Sequence, residues 1–324
     1  MPVFPNIGKK SRRFSNHWKS LDLILAALLG SLLLSCSKKP EVAPPPPQLD
    51  PALVDGQRAF EEARALVELG PKEAGTKGTL KAARYLAEAL KRRGVEASIH
   101  EFTALSPRGE TTFRNVVGRL AGKGQGLIIL ASHYDTKSGI EGFLGANDSA
   151  ASSALLLELS QGMAKGPALG PDVLFVFFDG EECMKHYGPS DGLQGSRHMA
   201  AQLVRDGRAK QVKAFILLDM VGDRDLSVTV PRNGTPSLIS AVFEAAHEEN
   251  VRSKFSLYPF EIGDDHDPFF AAGMPAVDII DFHYGSAPGR NDYWHTPEDT
   301  LDKISAESLG TVGRVAIRVV NRLL

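Results

Sequence analysis

The sequence predicts an α/β fold, a three-layer αβα sandwich around a mixed, largely parallel sheet. Two observations predict it. Apolar runs of strand length, above all Val173-Leu-Phe-Val-Phe-Phe178, lack polar alternation, the pattern of strands buried on both faces. Segments with apolar residues at helical spacing lie between those runs, so helices and strands alternate along the chain.

Two amphipathic helices open the folded part. Residues 55–69 carry Phe60, Ala63, Leu66 and Val67 on one stripe, and residues 78–93 repeat the pattern with Leu80, Ala83, Leu86 and Leu90 before Gly94. Strand candidates follow at 95–102, 112–120 and 127–132, of which the first two read as a hairpin and allow an antiparallel edge. Residues 150–164 form the next helical run. Residues 173–178 and 214–218 read as central strands, 196–204 and 236–249 as helices, 276–280 as another strand and 305–323 as a closing helix.

The first 36 residues have a secretory-signal layout: Lys9, Lys10, Arg12, Arg13 and Lys19 precede an apolar stretch over 23–34 that stops at Ser35-Cys36. Leu33-Leu34-Ser35-Cys36 resembles a bacterial lipobox, which implies a lipidated Cys36 as mature N-terminus and an exported protein in the cell envelope, held on a membrane and facing the periplasm or exterior. The competing reading is an uncleaved anchor, but the apolar run falls short of the roughly 20 residues a spanning helix needs. Residues 37–51, with Pro44 to Pro47, read as an extended tether, and residues 52–324 as one domain. Loss of the signal leaves 32 basic and 38 acidic residues, a net of about −6 that argues against nucleic acid as a partner. With Cys36 assigned to lipid, Cys183 has no partner for an internal disulfide. A monomer is expected.

Candidate chemistry gathers where apolar runs end. Glu181 and Glu182 follow residues 173–178 after Asp179-Gly180, at the sheet edge where open α/β folds place their sites. Adjacent side chains diverge there, so one glutamate can bind a metal while the other carries protons. His133 follows residues 127–132, Asp148 precedes the helix at 150–164, Asp219 follows residues 214–218, and His295 stands in Tyr293-Trp-His-Thr-Pro297. Each has an ordinary alternative: Asp148 as a helix N-cap, His133 with Asp135 as a turn, Asp219 as a loop cap, His295 as a packed histidine beside Trp294. Together, imidazole and carboxylate ligands at the ends of separate strands indicate a zinc site.

The strings Ser132-His-Tyr-Asp135, Gly145-Ala-Asn-Asp-Ser149, Phe178-Asp-Gly-Glu-Glu182, Leu218-Asp-Met220, Asp265-His-Asp-Pro-Phe269 and Trp294-His-Thr-Pro297 resemble, in this order, the M28 family of zinc aminopeptidases and glutaminyl cyclases. The resemblance implies that Asp148, Glu182 and His295 hold one zinc, that His133 and Asp219 complete a second site bridged by Asp148 in the two-zinc aminopeptidases, and that Glu181 is the general acid/base. The stretch from Cys183 to Arg197 is most similar to the glutaminyl cyclase branch. There Tyr187 takes the place of a pocket aromatic that is usually Trp, Trp294 matches a second pocket aromatic, and Asp264 matches an acid of the hydrogen-bond network. Two departures affect the pocket mouth: Asp278 stands where the animal cyclases have a histidine, and the loop over 281–293 is longer than theirs.

The resemblance implies an enzyme acting on peptide or protein N-termini. As a cyclase it would use one zinc to polarise the γ-amide of an N-terminal glutamine, with Glu181, Asp219 and Asp264 as catalytic residues. As an aminopeptidase it would use two zincs, Glu181 activating a water. A third reading, a silent envelope lipoprotein that only binds, fits poorly with Glu181 and every ligand in place.

Overall fold

The computed structural model describes residues 46–324, so the signal and lipobox reading at residues 1–36 and the spacer up to residue 45 lie outside the described residues. The described end of the stretch read as tether is docked on the domain. Leu49 is 2% exposed, packs against the main apolar core and exchanges two 2.8 Å hydrogen bonds with Asn321: the Leu49 N–H donates to Oδ1, and Nδ2 donates to the Leu49 carbonyl. Asp50 then accepts from the Ala52 N–H to start a 3-10 turn at Pro51–Leu53.

Helix α1, Gly56–Val67, starts where the Asp55 carboxylate accepts the Gln57 and Arg58 N–H groups, and α2, Lys77–Arg92, starts under the Thr76 hydroxyl. A hairpin of β1, Glu96–Ser106, and β2, Gly109–Leu120, leads to β3, Leu127–His133. The chain continues through α3, Ser152–Lys165; β4, Asp172–Phe178; α4, Gln194–Arg205; and β5, Val212–Asp219. It closes through β6, Val228–Pro231; α5, Pro236–Glu248; β7, Phe255–Tyr258; α6, Asp267–Ala271; β8, Ala276–Ile280; and α7, Ala306–Asn321.

The main sheet has the order β1-β2-β4-β3-β5-β8. Strands β4, β3, β5 and β8 run parallel, while β2 pairs antiparallel with both β1 and β4. A second pair, β6 with β7, forms its own ladder beside β8, where the Thr229 hydroxyl donates to the Ile280 carbonyl at 3.2 Å. These strands and α6 had no counterpart in the sequence reading, because four or five residues carry too little periodicity to register.

Alternation along the central strands divides the core. Ile128, Leu130, Phe175, Phe177, Ile216 and Leu218 face the side covered by α1, α2, α3, α5 and α7. Ile129, Ala131, Val176, Phe178, Phe215 and Leu217 face α4 and α6. With both faces dry, the open edge at the C-terminal ends of the parallel strands is where polar groups can gather, and β3, β4 and β5 end there at His133, Phe178 and Asp219. Among the described residues no helix is long and apolar enough to cross a membrane.

Candidate active site

The turn after β4 decides where the two glutamates point. Gly180 has φ +75°, and a Cβ there would lie 2.6 Å from the Phe113 ring, so the chain can turn at this point only with glycine. The next two N–H groups are then fixed by one carboxylate: Glu181 donates to Asp135 Oδ1 and Glu182 to Asp135 Oδ2, each at 3.2 Å. Asp135 Oδ1 also lies 3.6 Å from His133 Nδ1. The residue that the sequence left as part of a turn therefore fixes the backbone of both glutamates and lies beside a histidine.

Asp148 is not a helix N-cap. It sits in a π-helical turn, Ala146–Ala151, with non-helical φ −107° and ψ 78°, after Gly145 at φ +63°. The distortion turns the Asp148 carboxylate toward the histidines and is held by Asp299, whose Oδ1 and Oδ2 accept the N–H groups of Asn147 (2.8 Å) and Asp148 (3.1 Å). The Tyr284 hydroxyl donates to the same Asp299 Oδ1 at 2.6 Å. Asn147 in turn binds the chain leaving β5, donating to the Met220 carbonyl and accepting from the Gly222 N–H. Ser153 donates to the His133 carbonyl at 2.7 Å, tying the start of α3 to the end of β3.

Two groups of metal-capable atoms result, each lying within 4.8 Å of one another: Asp148, Glu182 and His295, and His133, Asp148 and Asp219. In the first, His295 Nε2 is 2.9 Å from Glu182 Oε1 and 3.4 Å from Asp148 Oδ2. In the second, His133 Nε2 is 3.2 Å from both Asp148 Oδ1 and Asp219 Oδ1. His295 holds its place with a left-handed φ of 55° and its ring stacked 3.9 Å from Trp294.

These donors suit a cation. Asp148 Oδ2 and Glu182 Oε2 are buried without a hydrogen-bond partner, and one imidazole N–H cannot satisfy two carboxylates. Lys137 Nζ lies 3.5 Å from Glu182 Oε2, but donates to the Cys183 carbonyl at 2.6 Å. Burial, and then the charge of Asp148, push the Glu182 carboxyl up to about 7, a cost that a bound divalent ion would relieve.

Glu181 belongs to neither group. It is buried, its Oε1 accepts the Tyr187 hydroxyl at 3.0 Å, and burial followed by the charge of Glu182 holds its carboxyl well above the usual range. Asp264 is also buried, accepts the Asp265 N–H at Oδ1, keeps Oδ2 unpartnered and is raised by burial and by Asp278 and Asp219. Asp278, on β8, has both carboxylate oxygens unpartnered.

A small pocket is lined by Glu181, Glu182, Asp264 and His295, and walled by Tyr187 and Trp294. Tyr187 is 47% exposed, which places it at the rim. The pocket collects every candidate residue except His133, which lies beneath Asp148 and Asp219. A wider groove, lined by His100, Arg119 and His198, contains neither group of metal-capable residues. Asp135, Asp299 and Lys137 complete the support of the site; of these only Asp135 falls within a string read from the sequence, Ser132-His-Tyr-Asp135.

Residues 115–320 match the profile of Peptidase family M28. The chain is 30% identical over 271 residues to a mouse protein named glutaminyl-peptide cyclotransferase-like protein, covering 74% of this chain and 69% of that one. It is 26% identical over 277 residues to the Drosophila melanogaster glutaminyl-peptide cyclotransferase, with 76% of each chain covered. Among solved structures, an Acidobacteriales bacterium glutaminyl cyclase superimposes with a TM-score of 0.78 at 35% identity, covering 89% of this chain and 99% of that one.

Proposed function

The chain belongs to peptidase family M28, and from that membership we propose that it is a zinc-dependent glutaminyl-peptide cyclotransferase, converting N-terminal glutamine of peptides or proteins to pyroglutamate with release of ammonia. The observation that carries the mechanism is the division between the paired glutamates. Glu182 stands with Asp148 and His295, while Glu181 lines the pocket outside both metal-capable groups.

We place one zinc at Asp148, Glu182 and His295, where it would supply Lewis-acid polarisation of the substrate γ-amide carbonyl. The protein's own residues do the rest. Glu181 accepts a proton from the substrate α-amine as that nitrogen attacks the γ-carbonyl carbon, and returns it to the amide nitrogen. The new C–N bond closes the ring, the old one breaks, and ammonia leaves without consumption of water. Burial makes Glu181 a stronger base than an exposed carboxylate, as this relay requires. Asp219 and Asp264 line the pocket as acceptors for the substrate's N–H groups. Because nucleophile and electrophile share one molecule, the pocket's remaining tasks are alignment and exclusion of water, which Tyr187 and Trp294 serve.

The complete second group, His133, Asp148 and Asp219, supports the alternative of a two-zinc aminopeptidase. Incubation of the zinc-loaded protein with peptides beginning in Gln or Leu, followed by mass spectrometry, separates the two. Loss of one ammonia from the Gln peptide alone supports the cyclase. Release of the first residue from both peptides supports the aminopeptidase. The envelope location with a lipid on Cys36 is part of the same proposal and rests on Leu33-Leu34-Ser35-Cys36.

A further inference from the structure

An aromatic path leads out of the pocket. Trp294 and Phe282 both line the pocket and meet at 5.3 Å between ring centroids; Phe282 meets Tyr258 at 6.3 Å, and Tyr258 meets Phe260 at 5.6 Å. Phe260, at the outer end, is 64% exposed. Tyr258, Phe282 and Trp294 pack against an apolar cluster of their own around Met220, Ile262, Ile280 and Tyr284, separate from the two clusters that fill the sheet's faces, and Phe260 lies outside it. Folding therefore does not require Phe260 to face solvent or the path to run continuously from pocket to surface.

The outer end is also fixed in place. The Arg232 N–H donates to the Phe260 carbonyl at 3.3 Å. Asn233 accepts from the Ile262 N–H at 3.1 Å and donates to the Ile262 carbonyl at 2.8 Å. An exposed aromatic ring on a pinned loop, continuous with a substrate pocket, is an apolar surface already ordered for a ligand. The glutamine side chain and α-amine fill the pocket in the proposed reaction, so the rest of the peptide must cross its rim.

We propose that the strip formed by Phe282, Tyr258 and Phe260 receives the side chain of the residue that follows the N-terminal glutamine, so that the protein prefers substrates with an aromatic or large aliphatic residue in second position. The inference rests on the cyclase reading. Phe260 touches no group of the catalytic machinery, and its ring is exposed, so Phe260→Ala leaves the fold and the chemistry intact. The test compares kcat/KM, by ammonia release, for peptides beginning Gln-Phe, Gln-Leu and Gln-Gly with the full protein and the Phe260→Ala variant.

The wild-type protein is expected to favour Gln-Phe over Gln-Gly by about tenfold, through KM, as partial burial of one large apolar side chain allows. Phe260→Ala should reduce that preference several-fold and leave Gln-Gly turnover unchanged. Equal kcat/KM for Gln-Phe and Gln-Gly in the wild type, or an undiminished preference in the variant, overturns this inference alone. Absence of ammonia from every Gln peptide overturns the cyclase reading and this inference with it.

Discussion

The Tyr187 hydroxyl donates a 3.0 Å hydrogen bond to Oε1 of Glu181, so the pocket's rim and its proton carrier form one unit. A donor on a buried carboxylate fixes its rotamer and moderates its basicity. Tyr187→Phe keeps the ring and deletes the donor. It should lower kcat by about tenfold with little change in KM or zinc content, whereas Tyr187→Ala should also raise KM because the wall itself is lost. Steady-state kinetics on a Gln peptide check both.

Zinc retention should separate ligands from their supports. Glu182→Ala and His295→Ala each remove one donor atom and should leave the purified protein with sharply reduced zinc. Asp135→Asn leaves every ligand in place but sets an amide NH₂ against one of the two glutamate N–H groups that the carboxylate now accepts. Zinc affinity should fall by about 10- to 100-fold, measured by competition with a chelator.

Asp299 should matter for folding as much as for the metal. Its replacement by Ala strands the Asn147 and Asp148 N–H groups and the Tyr284 hydroxyl in a buried site. Urea unfolding is expected to show a loss of about 3 kcal/mol, and Tyr284→Phe, which deletes a single partner, about 1 kcal/mol.

Lys72 gives the stability a distinctive alkaline limb. It is 1% exposed, and burial, opposed first by the charge of Asp299, lowers its pKa from 10.5 to about 8. Between about pH 8 and 10.5 the unfolded chain binds the more protons at this residue, so its contribution to stability rises with pH across that window. Below about pH 8 both states are charged, and the buried ammonium costs folding roughly 3 kcal/mol at most. Lys72→Met should lack this rise. Unfolding free energies of both proteins at about pH 7.5 and about pH 10 test it: the wild type should gain on the variant as pH increases.

What the sequence disclosed, and what it withheld, follows from how each residue acts. Val173 to Phe178 is apolar on both faces, so strand, burial and the emergence of Glu181 and Glu182 at its end were legible together. Asp148 was open between cap and ligand because both roles want a carboxylate ahead of a helix; the choice depends on the distorted turn after Gly145, a backbone property. Asp299 acts on N–H groups 152 and 151 residues away in sequence, and a hydrogen bond to distant backbone leaves no local pattern. Leu49 looked like tether because its neighbours are prolines and polar residues, yet one leucine and Asn321 suffice to dock it. The short strands β6 and β7 pair only with each other across 26 intervening positions, which no windowed periodicity can reveal.

The central claim is that Glu181 moves the proton while Glu182 holds the metal. Glu181→Gln tests it most directly, with zinc content and ammonia release from a Gln peptide measured on the same preparation. The account predicts zinc equal to the wild type and ammonia release reduced by about 10²- to 10⁴-fold, the range that a general acid/base supplies. Full turnover with zinc retained would contradict it.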